Sequence, residues 1–317
     1  MNGLAQYLEG WWPEPLRRTD RIRQWPVDAF AGLLDQPGPE AATPLPPLWH
    51  CFSFLDHPAQ AEIGEDGHPA AGRFLPPIPH RRRMFAGGRW HRPVGAQPIR
   101  VGDEVTLESS VRSVEPKTGR SGEMAFVTIR TDLSRDGEPA VVEEQDFVYR
   151  SEAPVEPGAL PALGASAAEP TAAPEPTAAP EPTAAPEPTA APEPTAAPEP
   201  TTAPDSTAPA EYELRIDPDP SLLFRFSALT YNTHRIHYDQ PYATGVEGYP
   251  GLVVHGPLLA LLALELPRRH LPGEEVLEFS YRLRRPAFAG ATIVATSQAP
   301  DGDGWCEMSV GELGRPP

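Results

Sequence analysis

Asn232, His234 and His237 stand within six residues of one another in FSALTYNTHRIHYDQPYA, residues 226–243. A third histidine, His255, occurs in GLVVHGPLLALLALEL, residues 251–266, directly ahead of an almost wholly apolar run. Histidine titrates near neutral pH and can act as base and acid within one cycle. Gly256 and Pro257 read as a helix start, because proline at the first helical position gives up no hydrogen bond. The apolar run predicts a buried helix that begins after His255 and is stopped by Pro267, with Glu265 its one charged member. Such a helix start leaves backbone N–H groups unpaired, and glycine lets a ligand come close to one of them. A preorganised donor of this kind stabilises an oxyanion by about 3–4 kcal/mol. Acid–base side chains beside an oxyanion-binding helix end point to chemistry on a carbonyl compound. The plainer reading is polar loop histidines satisfied by backbone groups, next to a helix that is only core. A metal site from His234, His237 and His255 is chemically reasonable, but the spacing matches no familiar ligand pattern, so no metal is expected. For Asp239 and Tyr231, assistance in proton transfer is the sharper reading and a solvent-facing or hydrogen-bonding role the expected one.

These residues lie in the second of two parts. EPTAAP repeats five times from Glu169 to Pro198, and EPTTAP follows from Glu199 to Pro204. Two prolines per repeat oppose helix and sheet alike, so residues 151–210 read as a semi-rigid, Pro-rich linker. The chain divides into residues 1–150, the linker, and residues 211–317. In the first part, Val27, Phe30, Ala31 and Leu34 have helical spacing within residues 19–35. Irregular Pro- and Gly-rich chain is expected through Trp90. Three strands in an antiparallel meander are expected over residues 105–115, 124–133 and 140–150. The second part opens on a strand-like stretch, residues 212–230, before the histidines and the apolar helix. Strands separated by turns follow over residues 276–290, 291–299 and 305–313. A buried helix against an antiparallel sheet in both parts is an α+β arrangement.

The formal net charge is −18, and nine acidic residues with no lysine or arginine fall in residues 151–210. Half of the excess therefore sits in the linker, and nothing in the remainder offers the clustered positive charge that nucleic acid needs. Cys51 and Cys306 are the only cysteines, and neither belongs to a CxxC or metal-ligand cluster, which fits a reducing cytoplasmic compartment. A continuous apolar signal segment and an apolar run long enough to span a membrane are both missing from the reading.

The second part resembles the MaoC-like, type 2 enoyl-CoA hydratase family, whose pattern is D-x-N-P-x-H-x-D with a later H-G at the central helix. Asn232 falls on the first aspartate, His234 on the asparagine, Arg235 on the proline, and His237 and Asp239 on the histidine and last aspartate. His255 and Gly256 match the H-G, and residues 280–290 look like the family's strand and turn after that helix. Residues 45–55, 66–88, 117–130 and 143–150 resemble the first half of two-hot-dog dehydratases, among them mesaconyl-CoA hydratases and 3-hydroxyacyl-thioester dehydratases. The resemblance implies a double hot-dog fold of two antiparallel sheets, each with a central helix. It further implies a first domain without catalytic residues and a second that carries the site.

The activity implied is reversible hydration of 2-enoyl thioesters, or dehydration of the 3-hydroxyacyl forms. His237 would exchange a proton with water or the β-hydroxyl, and the Gly256 N–H would polarise the thioester carbonyl. Asn232, which cannot ionise, would orient the water, and His234 would carry a second proton or position the substrate. His255, Arg284 and Arg285 are the expected substrate-binding residues. No separate cofactor is implied, coenzyme A or an acyl-carrier pantetheine being part of the substrate. The resemblance also allows a homodimer. A hot-dog thioesterase, a non-catalytic acyl-CoA-binding module and a metal-dependent lyase are the competing classes.

Overall fold

Two central residues with positive φ, Asp136 (53°) and Gly137 (84°), turn one long strand back on the next. A turn of that kind matches the twist of a hairpin. The computed structural model describes residues 4–40, 42–79, 81–119, 122–151 and 210–315. The elements of the first part are α1 (Ala5–Leu8), β1 (Leu16–Arg21), α2 (Gln24–Leu33), β2 (Arg81–His91), β3 (Glu104–Gly119), β4 (Gly122–Arg135) and β5 (Glu138–Ser151). Those of the second are β6 (Tyr212–Ile216), α3 (Pro220–Thr230), α4 (Gln240–Gly245), α5 (Gly256–His270), β7 (Glu278–Arg282), β8 (Ile293–Ser297) and β9 (Met308–Glu312). The repeats lie outside the described residues.

β3, β4 and β5 form the expected antiparallel meander, but the sheets do not divide as one per part. The larger sheet runs β1-β3-β4-β5-β2-β7 and the smaller β6-β8-β9. β7, from the second part, pairs antiparallel with β2 of the first, with Gly87 opposite Arg282 and His91 opposite Glu278. The two parts thus join edge to edge through backbone hydrogen bonds. Gly87 and Gly88 make this possible: a Cβ on Gly87 would overlap the Tyr281 carbonyl, and one on Gly88 the Glu144 carbonyl. The same pair puts a bulge into β2 between Phe85 and Gly87, and bulge plus glycines erase the alternation that marks a strand. That is why the sequence reads as irregular there.

Two further expectations are corrected. Residues 220–230 are a helix, started by Asp219, whose side chain accepts from the Leu222 N–H, and by Pro220 in the first turn. Pro267 does not stop α5, which continues to His270. Lying in the last turn, the proline removes one intrahelical bond, while its own carbonyl still accepts from the Leu271 N–H at 2.9 Å.

α5 is buried from Leu258 to Pro267 and packs against the smaller sheet. The core is continuous across the two parts: Phe30 and Phe52 meet Phe226 with ring centroids 6.1 and 6.2 Å apart. Glu265 is only 1% exposed, and its carboxylate is held by Arg268 at 2.7 Å, Arg269 at 3.3 Å and the Gln36 amide at 2.8 Å. A carboxylate that deep needs such partners, and Gln36 supplies one from the first part.

Candidate active site

α3 ends at Tyr231, which takes the left-handed conformation (φ 51°), and the Asn232 N–H reaches back to the Ser227 carbonyl at 2.8 Å. This is the six-to-one closure of a helix C-terminus. The Asn232 side-chain oxygen then accepts from the His234 N–H at 3.0 Å, so the residue turns the chain into the histidine segment. Residues 235–237 make one 3₁₀ turn, and Asp239 caps α4 while pairing with Arg235 at 2.7 Å. Asp239 thus does the hydrogen bonding expected of it.

His237 is 7% exposed and its Nδ1 lies 2.8 Å from the Val253 carbonyl. A carbonyl only accepts, so Nδ1 carries the hydrogen and Nε2 keeps a lone pair. Burial holds the imidazole down to about 4, with His68 adding to the effect and the bond to Val253 opposing it. At neutral pH His237 is therefore an uncharged base.

His255, at the head of α5, is fully buried and stacks on His237 with centroids 3.7 Å apart. Its Nε2 lies 2.9 Å from the Ser227 hydroxyl. Burial first, then His237 and His234, push it well below the ordinary histidine value. Enclosed in this way, His255 packs against His237 and Ser227, with no part of its side chain exposed. His234 stands edge-on to His237 with centroids 5.5 Å apart, half-buried and held down to about 2 by burial and by His68, His237 and Arg83.

The cluster also draws on the first part. His68 lies against His234 with centroids 4.0 Å apart, and its Nδ1 is 3.1 Å from the Asp66 carboxylate. The loop carrying them is clamped to the segment after α3. The Arg235 N–H donates to the Asp66 carbonyl at 2.8 Å, the Thr233 hydroxyl donates to the Gly67 carbonyl, and Arg235 reaches the Glu65 carbonyl at 3.0 Å. Gly67 has φ 89°, and a Cβ there would overlap the Thr233 carbonyl. Sequence reasoning overlooked Asp66, His68 and Ser227. The signals available were the Asp-Gly-His run before Pro69 and a serine among buried apolar positions of α3.

Gly256 sits where expected, directly after His255. Its missing Cβ makes room for protein as well: an added one would overlap Leu283 and crowd Phe85. Among the described residues no acceptor is recorded for its N–H. Arg284 and Arg285 are exposed and border a cavity of about 1280 Å³ between α5, β7 and β9. None of the clustered histidines borders it, so the side-chain chemistry, not this cavity, locates the site. Among the described residues His234, His237 and His255 do not bring their ring nitrogens together as one ligand group; His237 and His255 stack face to face instead. Asp66, His68 and His234 do bring one ligand-type atom each within 4.8 Å of one another. Asp66 and His68 already satisfy each other, and the His68 and His234 rings overlap at 36°.

Residues 48–289 match the family model for hydroxyacyl-thioester dehydratase type 2. The chain belongs to this family. The mesaconyl-C(4)-CoA hydratase of Chloroflexus aurantiacus is 41% identical over 290 residues, covering 86% of this dehydratase-family chain and 86% of that one. The mitochondrial hydroxyacyl-thioester dehydratase type 2 of Schizosaccharomyces pombe is 37% identical over 102 residues, 31% of this chain and 33% of its own. Among solved structures, a MaoC-like dehydratase from Phytophthora capsici superposes with a TM-score of 0.62 at 13% identity, covering 98% and 94% of the two chains. HtdX from Mycobacterium tuberculosis gives 0.54 at 15% identity, covering 95% and 94%. These last two likenesses establish the fold, which is the hot-dog arrangement of MaoC-like dehydratases. No helix among the described residues is long and apolar enough to cross a membrane.

Proposed function

We propose that this protein catalyses the reversible hydration of 2-enoyl-CoA thioesters, with mesaconyl-C4-CoA as the first substrate to test. The observation that carries the proposal is the state of His237: uncharged, its Nδ1–H tied to Val253, and its Nε2 lone pair left to take a proton. In the hydration direction His237 removes a proton from water as the oxygen adds to the β-carbon. The electron pair moves to the thioester oxygen, where the Gly256 N–H at the head of α5 stabilises it. Asn232, whose amide NH₂ is not used in its turn, orients the water. His234 lines the substrate's path, and Arg284 and Arg285 meet the phosphates of coenzyme A. The chemistry asks for no metal or redox group.

A fall in enoyl absorbance with mesaconyl-C4-CoA or crotonyl-CoA, lowered about 10²–10⁴-fold by His237→Ala, is the expected result. Equal turnover by both proteins refutes the role of His237. Free thiol released with no hydrated product means a thioesterase, and binding without turnover means a non-catalytic module. A homodimer and a cytoplasmic location complete the proposal; light scattering on the purified chain and fractionation of cells test them.

A further inference from the structure

Adding water across a double bond needs two proton movements: one from water as its oxygen bonds to the β-carbon, and one to the α-carbon. His237 serves the first. Asn232, placed to orient the water, holds no transferable proton. The four clustered imidazoles differ in what lies beside them. His237 is bonded to a carbonyl, His255 to a hydroxyl, and His234 has the Asp66 carboxylate within 4.8 Å but shares no hydrogen bond with it among those of the described residues. His68 alone has a carboxylate within hydrogen-bond distance of its ring. A carboxylate on Nδ1 fixes the tautomer and stabilises the imidazolium that a proton donor must become.

Resting on the hydratase reading above, we propose that His68, held by Asp66 and contributed by the first part of the chain, is the second acid–base group of the site. As the imidazolium it gives its Nε2 proton to the α-carbon while the enolate electron pair forms the new C–H bond. His237 ends the step protonated and His68 neutral. His237 then loses its proton to solvent and His68 regains one, so the balance is one water added per turnover.

Three observations support the placement. The His68 ring lies against His234, which adjoins His237. The His68 side chain remains 23% exposed, so the donor is open to substrate and solvent. The loop is fixed, since Asp66 and Gly67 are bonded through their carbonyls to Arg235 and Thr233. The titratable and charged groups facing His68 are Asp66 on its own loop, His234 and His237 on the segment after α3, and Arg83 of β2 beyond His234. Tyr242 of α4 faces Asp66 from the other side. Asp66 is opposed by burial, yet the bond and charge of His68 hold its carboxyl below the usual value.

The test uses the full chain as wild type, His68→Gln and Asp66→Asn, with the enoyl-CoA that the wild type hydrates. His68→Gln should lower kcat about 100-fold or more with KM within about threefold, and should abolish the alkaline limb of the kcat–pH profile. Asp66→Asn should move that limb to lower pH, because the carboxylate 3.1 Å from the ring is gone. A merely structural loop would not move the limb. Should His68→Gln fail to fold, the limb in Asp66→Asn decides alone. A His68→Gln enzyme within threefold of wild type, or an Asp66→Asn limb left in place, overturns the assignment. So does wild-type activity lost to a chelator and restored by zinc, which would make Asp66, His68 and His234 a metal centre. A wild type inactive on every enoyl-CoA removes the hydratase reading itself, whereas an active wild type with an indifferent His68→Gln removes only the role of His68.

Discussion

Acidification should destabilise this fold through His237 by an amount that its burial fixes. Held at about 4 when folded, against an ordinary value of 6.5, the imidazole stays neutral where the unfolded chain would protonate it. The unfolded state then binds the extra proton, so stability falls as pH drops below 6.5 and stops falling on this account below about 4. The gap of about 2.5 pH units corresponds to about 3 kcal/mol, lost at about 1.4 kcal/mol per unit. His237→Gln removes the titration and roughly keeps the volume. Urea unfolding of both proteins between pH 7 and 4.5, followed by the fluorescence of buried Trp49 and Trp90, isolates the contribution. The stability of wild type minus variant should decline by about 1.4 kcal/mol per unit from pH 6 to 4.5. A difference that stays constant over that range refutes the neutral, buried imidazole and with it the base assigned to the reaction. The same value gives the activity profile its acid side: turnover persists through pH 6.5 and disappears towards 4, as the base becomes charged.

Gly256→Ala should cost about 1–3 kcal/mol of stability, because the new methyl overlaps Leu283; adding Leu283→Ala should recover part of the loss in a double-mutant cycle. Gly67→Ala combines a left-handed backbone with overlap on Thr233. It should lower activity more than Gly256→Ala lowers it, with a lower melting temperature, since the clamp between the parts cannot close. Glu143→Leu strips buried His50 of the carboxylate 2.6 Å from its Nε2 and should cost about 1–3 kcal/mol in urea unfolding.

Much of this was legible in the chain because the signals were local. The strand runs within residues 105–150 named the meander, the apolar run after Gly256 named its helix, and the histidine spacing named the chemistry. What escaped was set by distant contacts. Nothing near Gly87 says that β7 will lie against it, and glycines chosen for close approach read as loop. The helix over 220–230 was signalled by Asp219-Pro220 yet overridden by the strand-like run before it. His255 was legible as the residue before a helix start, but not its surroundings; Phe226 and Ser227, which touch it, sit a full segment earlier. Asp66 and His68 lie about 170 residues from His237 in sequence, and no periodicity connects them.

The pairing of Gly87 with Arg282 has a consequence for biosynthesis. While the chain leaves the ribosome, β2 has its β5 neighbour early but keeps its other border bare until nearly 200 more residues have been made. A naked strand border is a template for the wrong neighbour. Nascent chains should therefore be most prone to clumping, and most in need of a chaperone, in the interval between completing Ser151 and releasing Arg282.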